Sequence, residues 1–237
     1  MILGAVQPSY LAWIPFFQRM VASDIFVYLD DVEFSKNSSH NRNRIKSGKS
    51  ELLLTIPVLY AGNSGAKLCD IKIDYKKNWQ KKHWSSLSQS YAKSEYWADW
   101  SIPLREVFFE KEHESLGSLN IELLEMFRVY LGITTKTVVS SKLGIDLKNN
   151  EKLIALCQEF KADRFLVKPN TEDYHPRETF QQKGIQLTMF HQQNVVYKQL
   201  GQQFLPGLSV LDFILNEGPG SVARLLGPST QQSSLTG

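Results

Sequence analysis

The residues able to do chemistry are concentrated near the start of the chain. Asp30 and Asp31 follow the apolar run 25–29 (I-F-V-Y-L). A carboxylate placed there can act as a general base, hold a ribose or bind a hard metal ion. It can equally cap a turn and pair with a nearby Arg or Lys. Successive strand residues face opposite ways, so the two acids share a site only where the strand has ended. The choice between Asp30 and Asp31 is open at this level. Asn41, Arg42, Asn43 and Arg44, continued by Lys46, form a second cluster. Arg offers a planar fork that matches phosphate or carboxylate, and Asn offers a donor and an acceptor. On a strand the two Asn face one way and the two Arg the other, which frees one pair for a ligand; a solvated basic turn is the plain alternative. Gln7 and Tyr10 end the apolar run 1–6, where Tyr10 and Trp13 are placed to stack on a sugar or base, although core packing is the expected fate of Trp13. His83 sits beside Lys82 on a helical stretch, either as an acid/base group or as a satisfied structural residue. His40 precedes the Asn/Arg cluster and is within reach of the same ligand.

The elements that must position these groups follow from periodicity. Residues 1–6 read as a buried strand, stopped by Pro8, with Ser9 placed to cap a helix over 11–22. Residues 25–29 form a second strand. Ligands in open α/β sheets bind at the carboxyl ends of strands, and Gln7, Tyr10, Asp30 and Asp31 are all delivered there. Further strands are expected over 51–58, with Pro57 near its end, and over 68–73, with a loop over 60–66 between them. Helical spacing follows over 79–96, where Trp79, His83, Leu87 and Tyr91 share a face, then over 103–110 and over 116–131, closed by Gly132. Strands over 135–140, 164–167 and 186–190 and a helix over 151–160 return the chain to alternating strand and helix. Helices over 208–215 and 221–226 end it, with Gly218-Pro219-Gly220-Ser221 as a stop and restart. The pattern predicts an α/β fold: a largely parallel Rossmann-like sheet flanked by helices, with a helical middle segment. We expect a single domain over 1–227 with a helical insertion at about 76–132, and a flexible polar tail over 228–237.

Several segments together resemble the WbqC-like proteins. That family carries Q-P-x-Y-L-P-W, which is similar to Gln7, Pro8, Tyr10, Leu11 and Trp13 here, with Ala12 in place of the second proline. Its D-x-F-V-x-L-D-D-V-x-F resembles Asp24, Phe26, Val27, Leu29, Asp30, Asp31, Val32 and Phe34, and its N-R-N-R-I-K resembles residues 41–46. Trp79, Lys82 and His83 are similar to its W-x-x-K-H segment. Tyr197, Gln199, Phe204, Pro206, the run 208–212, Asn216 and Gly218-Pro219 resemble its closing segments. The likeness spans nearly the whole chain. It implies an enzyme of surface-polysaccharide (O-antigen) or related biosynthesis that transfers an acyl or aminoacyl group to an amino sugar carried on a nucleotide. On that reading Asp30, Asp31 or His83 deprotonates the amine, Arg42 or Arg44 holds phosphate, and Asn41 or Asn43 bonds sugar hydroxyls. Gln7, Tyr10 and Lys46 complete the pocket.

Composition bounds these readings. The 237 residues, 42% hydrophobic and 22% charged, suit a globular protein with a real core. A net charge of +3 permits an anionic ligand or a charged tRNA as donor without arguing for nucleic acid. Cys69 and Cys157 form no C-x-x-C pair, and the chain opens on a strand with no basic leader, so a cytoplasmic protein is expected. No apolar run reaches the roughly 20 residues of a membrane span. His113, His175 and His191 lack metal-ligand spacing, so no metal site is expected; the pattern identifies no cofactor. G-x-S-x-G, phosphate-loop and dinucleotide fingerprints are absent, which favours direct transfer over a covalent intermediate. The competing class is a nucleotide-binding protein or nucleotidyl transferase, suggested by the opening strand–helix–strand layout. The histidine pair such enzymes use is replaced here by residues 10–13 (Y-L-A-W).

Overall fold

The computed structural model describes residues 1–60, 65–169 and 174–226; the expected polar tail and most of the 60–66 loop lie outside the described residues. The chain opens with β1 (Ile2–Val6), α1 (Ile14–Val21) and β2 (Ile25–Tyr28). An antiparallel hairpin of β3 (Arg42–Ser47) and β4 (Ser50–Thr55) follows, then the short pair β5 (Val58–Leu59) and β6 (Lys72–Ile73). Three helices come next: α2 (Trp79–Tyr91), α3 (Trp97–Phe109) and α4 (Leu116–Leu131). The closing half runs β7 (Lys136–Val139), α5 (Asn149–Glu159), β8 (Arg164–Val167), α6 (Arg177–Gln181), β9 (Gln186–Met189), α7 (Val210–Glu217) and α8 (Val222–Leu225).

Among the described residues the central sheet has five strands in the order β7-β2-β1-β8-β9, every pair parallel. The chain first builds outward from β1 through β2 to β7. It then crosses back to the other side of β1 for β8 and β9. The strand order therefore reverses between β1 and β8, the position where an open α/β sheet leaves a crevice. Both faces of the sheet are covered, as parallel sheets require. Phe26 and Tyr28 of β2 pack into one core with Phe17, Trp79, Trp100, Phe127 and Phe213 from α1, α2, α3, α4 and α7. Ile25 and Val27 point into the other core, against Leu156 and Cys157 of α5 and Phe180 of α6. Gly4 in β1 admits Ser23 at close range, since a Cβ at Gly4 would overlap the Ser23 hydroxyl.

Several boundaries differ from expectation for identifiable reasons. The predicted strand over 51–58 is interrupted, because Pro57 falls between β4 and β5. The stretch 68–73 opens with a 3-10 turn, Leu68–Asp70, before β6. α3 begins at Trp97 and takes Pro103 into its interior, because the buried face of Trp100, Leu104, Val107 and Phe108 extends the helix upstream of the proline. α1 begins at Ile14 rather than at residue 11, and Ser9 does not cap it: the Ser9 hydroxyl donates to the carbonyl of Gln7 at 3.3 Å. α4 matches its expectation, with a Ser115/Ser118 capping box and Gly132 at φ 78° closing it.

Candidate functional site

A cavity of about 790 Å³ lies at the β1/β8 reversal. That volume is within the range of small-molecule sites. Gln7 follows β1 into it, Lys168 follows β8, His191 follows β9, and Trp13 and Arg19 enter from the α1 side. Of the residues expected to bind substrate, Gln7 and Asn43 line this cavity. Asp30, Asp31, His83, Tyr10, Asn41, Arg42, Arg44 and Lys46 are not part of its wall, so it does not unite the acidic pair with the arginines.

Local backbone geometry explains how Trp13 reaches the cavity. Leu11, fully buried, adopts φ 45°, a left-handed conformation that costs a branched residue strain. Asn43 holds the kink, its Nδ2 donating to the carbonyls of Leu11 at 2.7 Å and Tyr10 at 3.3 Å. Past the kink Trp13 is 40% exposed and faces the cavity, whereas Tyr10 is fully buried. The stacking pair is thereby split: Trp13, expected in the core, is available to a ligand because the kink turns it outward, and Tyr10 packs in the core instead. Gln7 accepts at Oε1 from His40 Nε2 at 2.7 Å, because His40 Nδ1 already accepts from the Ser35 N–H at 3.1 Å. That pairing fixes the amide and leaves the Gln7 NH2 without a partner among the described residues.

The acidic pair has a structural setting. Asp30 is buried, and its carboxylate accepts from the Ser141 N–H at 2.9 Å, the Ser141 hydroxyl at 2.7 Å and the Ser140 hydroxyl at 3.1 Å. It thus caps, from the end of β2, the 3-10 turn Ser140–Leu143 that follows the neighbouring strand β7. Asp31 accepts from Ser140 and forms an ion pair with Lys152 of α5. The partner is therefore Lys152, not the Arg/Lys cluster that the sequence suggested. Among the described residues no group of three His, Cys, Asp or Glu is placed to hold a metal ion.

His83 is also enclosed. Its Nδ1 accepts from the Tyr10 hydroxyl at 2.7 Å, and its Nε2–H donates to the carbonyl of Thr55 at 3.2 Å. Burial pushes its pKa down to about 4, so it is neutral near pH 7 with both nitrogens engaged. Asn41 donates to the carbonyl of Ile56 at 3.0 Å. Arg44 is exposed and pairs with Glu51 across the hairpin at 3.3 Å, a contact of small energetic weight. Arg42, half-buried on the same strand, has no ion-pair partner among the described residues. Lys46 is buried far from solvent and donates to Gln199 Oε1 at 3.2 Å and to the carbonyl of Gln203. It belongs to a network centred on fully buried Asp212, which accepts from Tyr91 at 2.8 Å and Tyr197 at 2.7 Å. Burial raises the Asp212 pKa above the usual carboxylate range.

The polar groups of the cavity that escaped the sequence reading include Arg19, Lys168 and, in any functional role, His175 and His191. His175 Nδ1 lies 2.8 Å from Asn150 Oδ1, and Asn150 Nδ2 donates to the carbonyl of Tyr174 at 2.7 Å. With the amide so oriented, Nδ1 carries the proton and Nε2 keeps a lone pair. Burial first, and the charge of Arg19 second, lower the His175 pKa. Lys168 had a legible signal, since it directly follows β8 as Gln7 follows β1. Arg19 had none, because a lone arginine on an amphipathic helix reads as a surface charge.

The chain matches the WbqC-like protein family model over residues 7–224. It is also 31% identical over 217 residues to the uncharacterized protein Rv1507c of Mycobacterium tuberculosis, covering 91% of this chain and 94% of that protein. No solved structure was found to match it. Among the described residues no helix is long and apolar enough to cross a membrane. With the family model covering all but the first few residues and the end of the chain, the protein belongs to the WbqC-like family.

Proposed function

We propose that this WbqC-like protein is a cytoplasmic enzyme of surface-polysaccharide or related biosynthesis. It transfers an acyl or aminoacyl group to an amino sugar held in the cavity at the β1/β8 reversal. The observation that carries this reading is a neutral, oriented histidine in a ligand-sized cavity at the carboxyl edge of the sheet. The geometry favours His175 over Asp30, Asp31 and His83 as the base, because those three have their polar atoms occupied by protein partners. His175 Nε2 takes a proton from the sugar amine as its nitrogen attacks the donor carbonyl. The tetrahedral adduct collapses to re-form the carbonyl as an amide, the donor's leaving group departs with its bonding electrons, and the proton on Nε2 passes to that group. Trp13 offers an apolar face to the sugar ring, and the Gln7 NH2 offers a donor to a hydroxyl or to the developing oxyanion. The acyl donor is a small activated acyl group or a charged tRNA.

Incubation with nucleotide-linked amino sugars and acyl donors, read by mass spectrometry of the sugar product, tests the proposal. Acylated product is expected, with kcat reduced about 10²- to 10⁴-fold in His175→Asn. Binding of the sugar with no product from any donor class, or full turnover by His175→Asn, refutes it. A shift of stability by plain nucleotides together with cleavage of a nucleoside triphosphate would instead place the protein in the nucleotidyl-transfer class.

A further inference from the structure

The chain over 191–208 joins β9 to α7 and belongs to no helix or strand. Over that length its backbone makes no hydrogen bond to another described backbone group. Four buried polar side chains hold it instead. The Gln18 amide donates to the carbonyl of Gln193 and accepts from its N–H, each at 3.0 Å. The Gln199 amide brackets Leu205 in the same way, each contact at 2.9 Å. Asp212 accepts from the Tyr197 hydroxyl, and Lys46 donates to the carbonyl of Gln203. Burying amides and charges is unfavourable unless each finds a partner, and here the partners fix the path of one irregular segment.

That path walls a second cavity of about 450 Å³, between the segment and the start of α1. Trp13, Pro15, Gln192 and Gly207 line both cavities, so the two are lobes of one cleft. The second lobe is lined by residues 13–15, 192–197 and 204–208, and the chain between 192 and 208 is described throughout. None of these wall residues carries a charge. Trp13, Ile14, Val195, Phe204, Leu205 and Leu208 make the surface apolar, with the Phe204 ring edge-on to Tyr197 at 5.5 Å. The Tyr197 hydroxyl is engaged by Asp212 and Gln199. An ammonium or carboxylate entering this lobe would lose water and meet no counter-charge in the wall. An alkyl chain would gain by burial.

Group transfer needs two ligands held against each other, and a two-lobed cleft with Trp13 in both walls provides for that. We infer that the second lobe holds the acyl group of the donor, and that this group is an uncharged apolar chain rather than an aminoacyl group. The sugar keeps the larger lobe. The inference rests on the proposed transfer reaction, and its test reads binding without turnover.

Calorimetric titration with amide analogues of acyl N-acetylcysteamine thioesters, which are inert to transfer, tests it. The acyl groups are acetyl, hexanoyl, and the ω-amino and ω-carboxy analogues of hexanoyl length, on wild type, Phe204→Ala and Phe204→Asp. Each methylene buried against an apolar wall is worth about fourfold in affinity, so hexanoyl should bind wild type about tenfold or more tighter than acetyl. The two charged analogues should bind about tenfold or more weakly than hexanoyl. Phe204→Ala should weaken hexanoyl and leave acetyl nearly unchanged. Phe204→Asp should reverse the order and bind the ω-amino analogue above hexanoyl. Equal affinity of wild type for hexanoyl and acetyl, or for hexanoyl and the ω-amino analogue, overturns the inference. So does an unchanged preference for hexanoyl in folded Phe204→Asp. If neither variant folds, the wild-type series decides. Transfer of aminoacyl and hexanoyl groups to an amino sugar at equal kcat/KM defeats this inference and leaves the proposed function standing. Chain-length-dependent binding that reverses in Phe204→Asp, with no transfer to any amino sugar, upholds the ligand class of the lobe and defeats the transfer reaction.

Discussion

Replacing Lys152 with methionine separates the structural from the catalytic reading of the acidic pair at the end of β2. Lys152 is 5% exposed, and the side chain of its ion-pair partner Asp31 is 9% exposed. Methionine keeps most of the stem volume and removes the charge, so the perturbation falls on Asp31. Removing one partner of a buried ion pair costs about 3–5 kcal/mol, because the remaining charge is left without compensation. Asp31 retains the Ser140 hydroxyl as a donor and a little solvent, which places the expectation at the low end, about 3 kcal/mol. For a chain of this length that corresponds to a fall in Tm of roughly 6–12 °C. Urea denaturation and thermal melts of Lys152→Met, Asp31→Asn and the double variant complete a cycle. The double variant should recover much of the loss, with a coupling of about 2 kcal/mol between the two sites. Ligand binding in the β1/β8 cavity should survive in every variant that folds. A loss below about 1 kcal/mol in Lys152→Met would refute the reasoning. So would an Asp31→Asn variant of full stability that no longer turns over substrate.

Tyr10→Phe removes the donor to His83 Nδ1 and leaves a buried acceptor unmatched, so stability should fall by about 1–3 kcal/mol in denaturant titrations. His83 also sets a pH dependence. Its folded pKa near 4 lies below the usual 6.5, so the unfolded chain binds the proton first as pH falls. Its contribution is therefore intact above about pH 6.5 and lost as pH drops toward 4. The urea midpoint measured across that window should decline more steeply for wild type than for His83→Gln. Tyr197→Phe withdraws a donor from the buried Asp212 carboxylate and should cost about 1–3 kcal/mol, read by the same titration. Gly218→Ala should lower the melting temperature: φ 81° with ψ −171° is a conformation only glycine tolerates, and an added Cβ would overlap the Tyr96 ring.

The elements of this protein were legible in its sequence because they depend on neighbours along the chain. The apolar runs of β1 and β2, the Trp79, His83, Leu87, Tyr91 face of α2 and the Gly132 stop of α4 follow from periodicity and backbone sterics within a few residues. The rule that ligands bind at strand ends correctly brought Gln7 to the cavity. The same rule was incomplete for the acids, since Asp30 and Asp31 end β2, which lies on the far side of β1 from β8. Only the order β7-β2-β1-β8-β9 decides which strand ends flank the crevice, and that order comes from pairings between distant segments. The fate of each polar side chain was decided in the same way. Asp31 meets Lys152 across 121 residues, Tyr10 meets His83 across 73, and Arg19 meets Leu166 across 147. A sequence shows which groups can ionise or donate. Burial and partnership determine whether they do, and both arise only when the two faces of the sheet are packed.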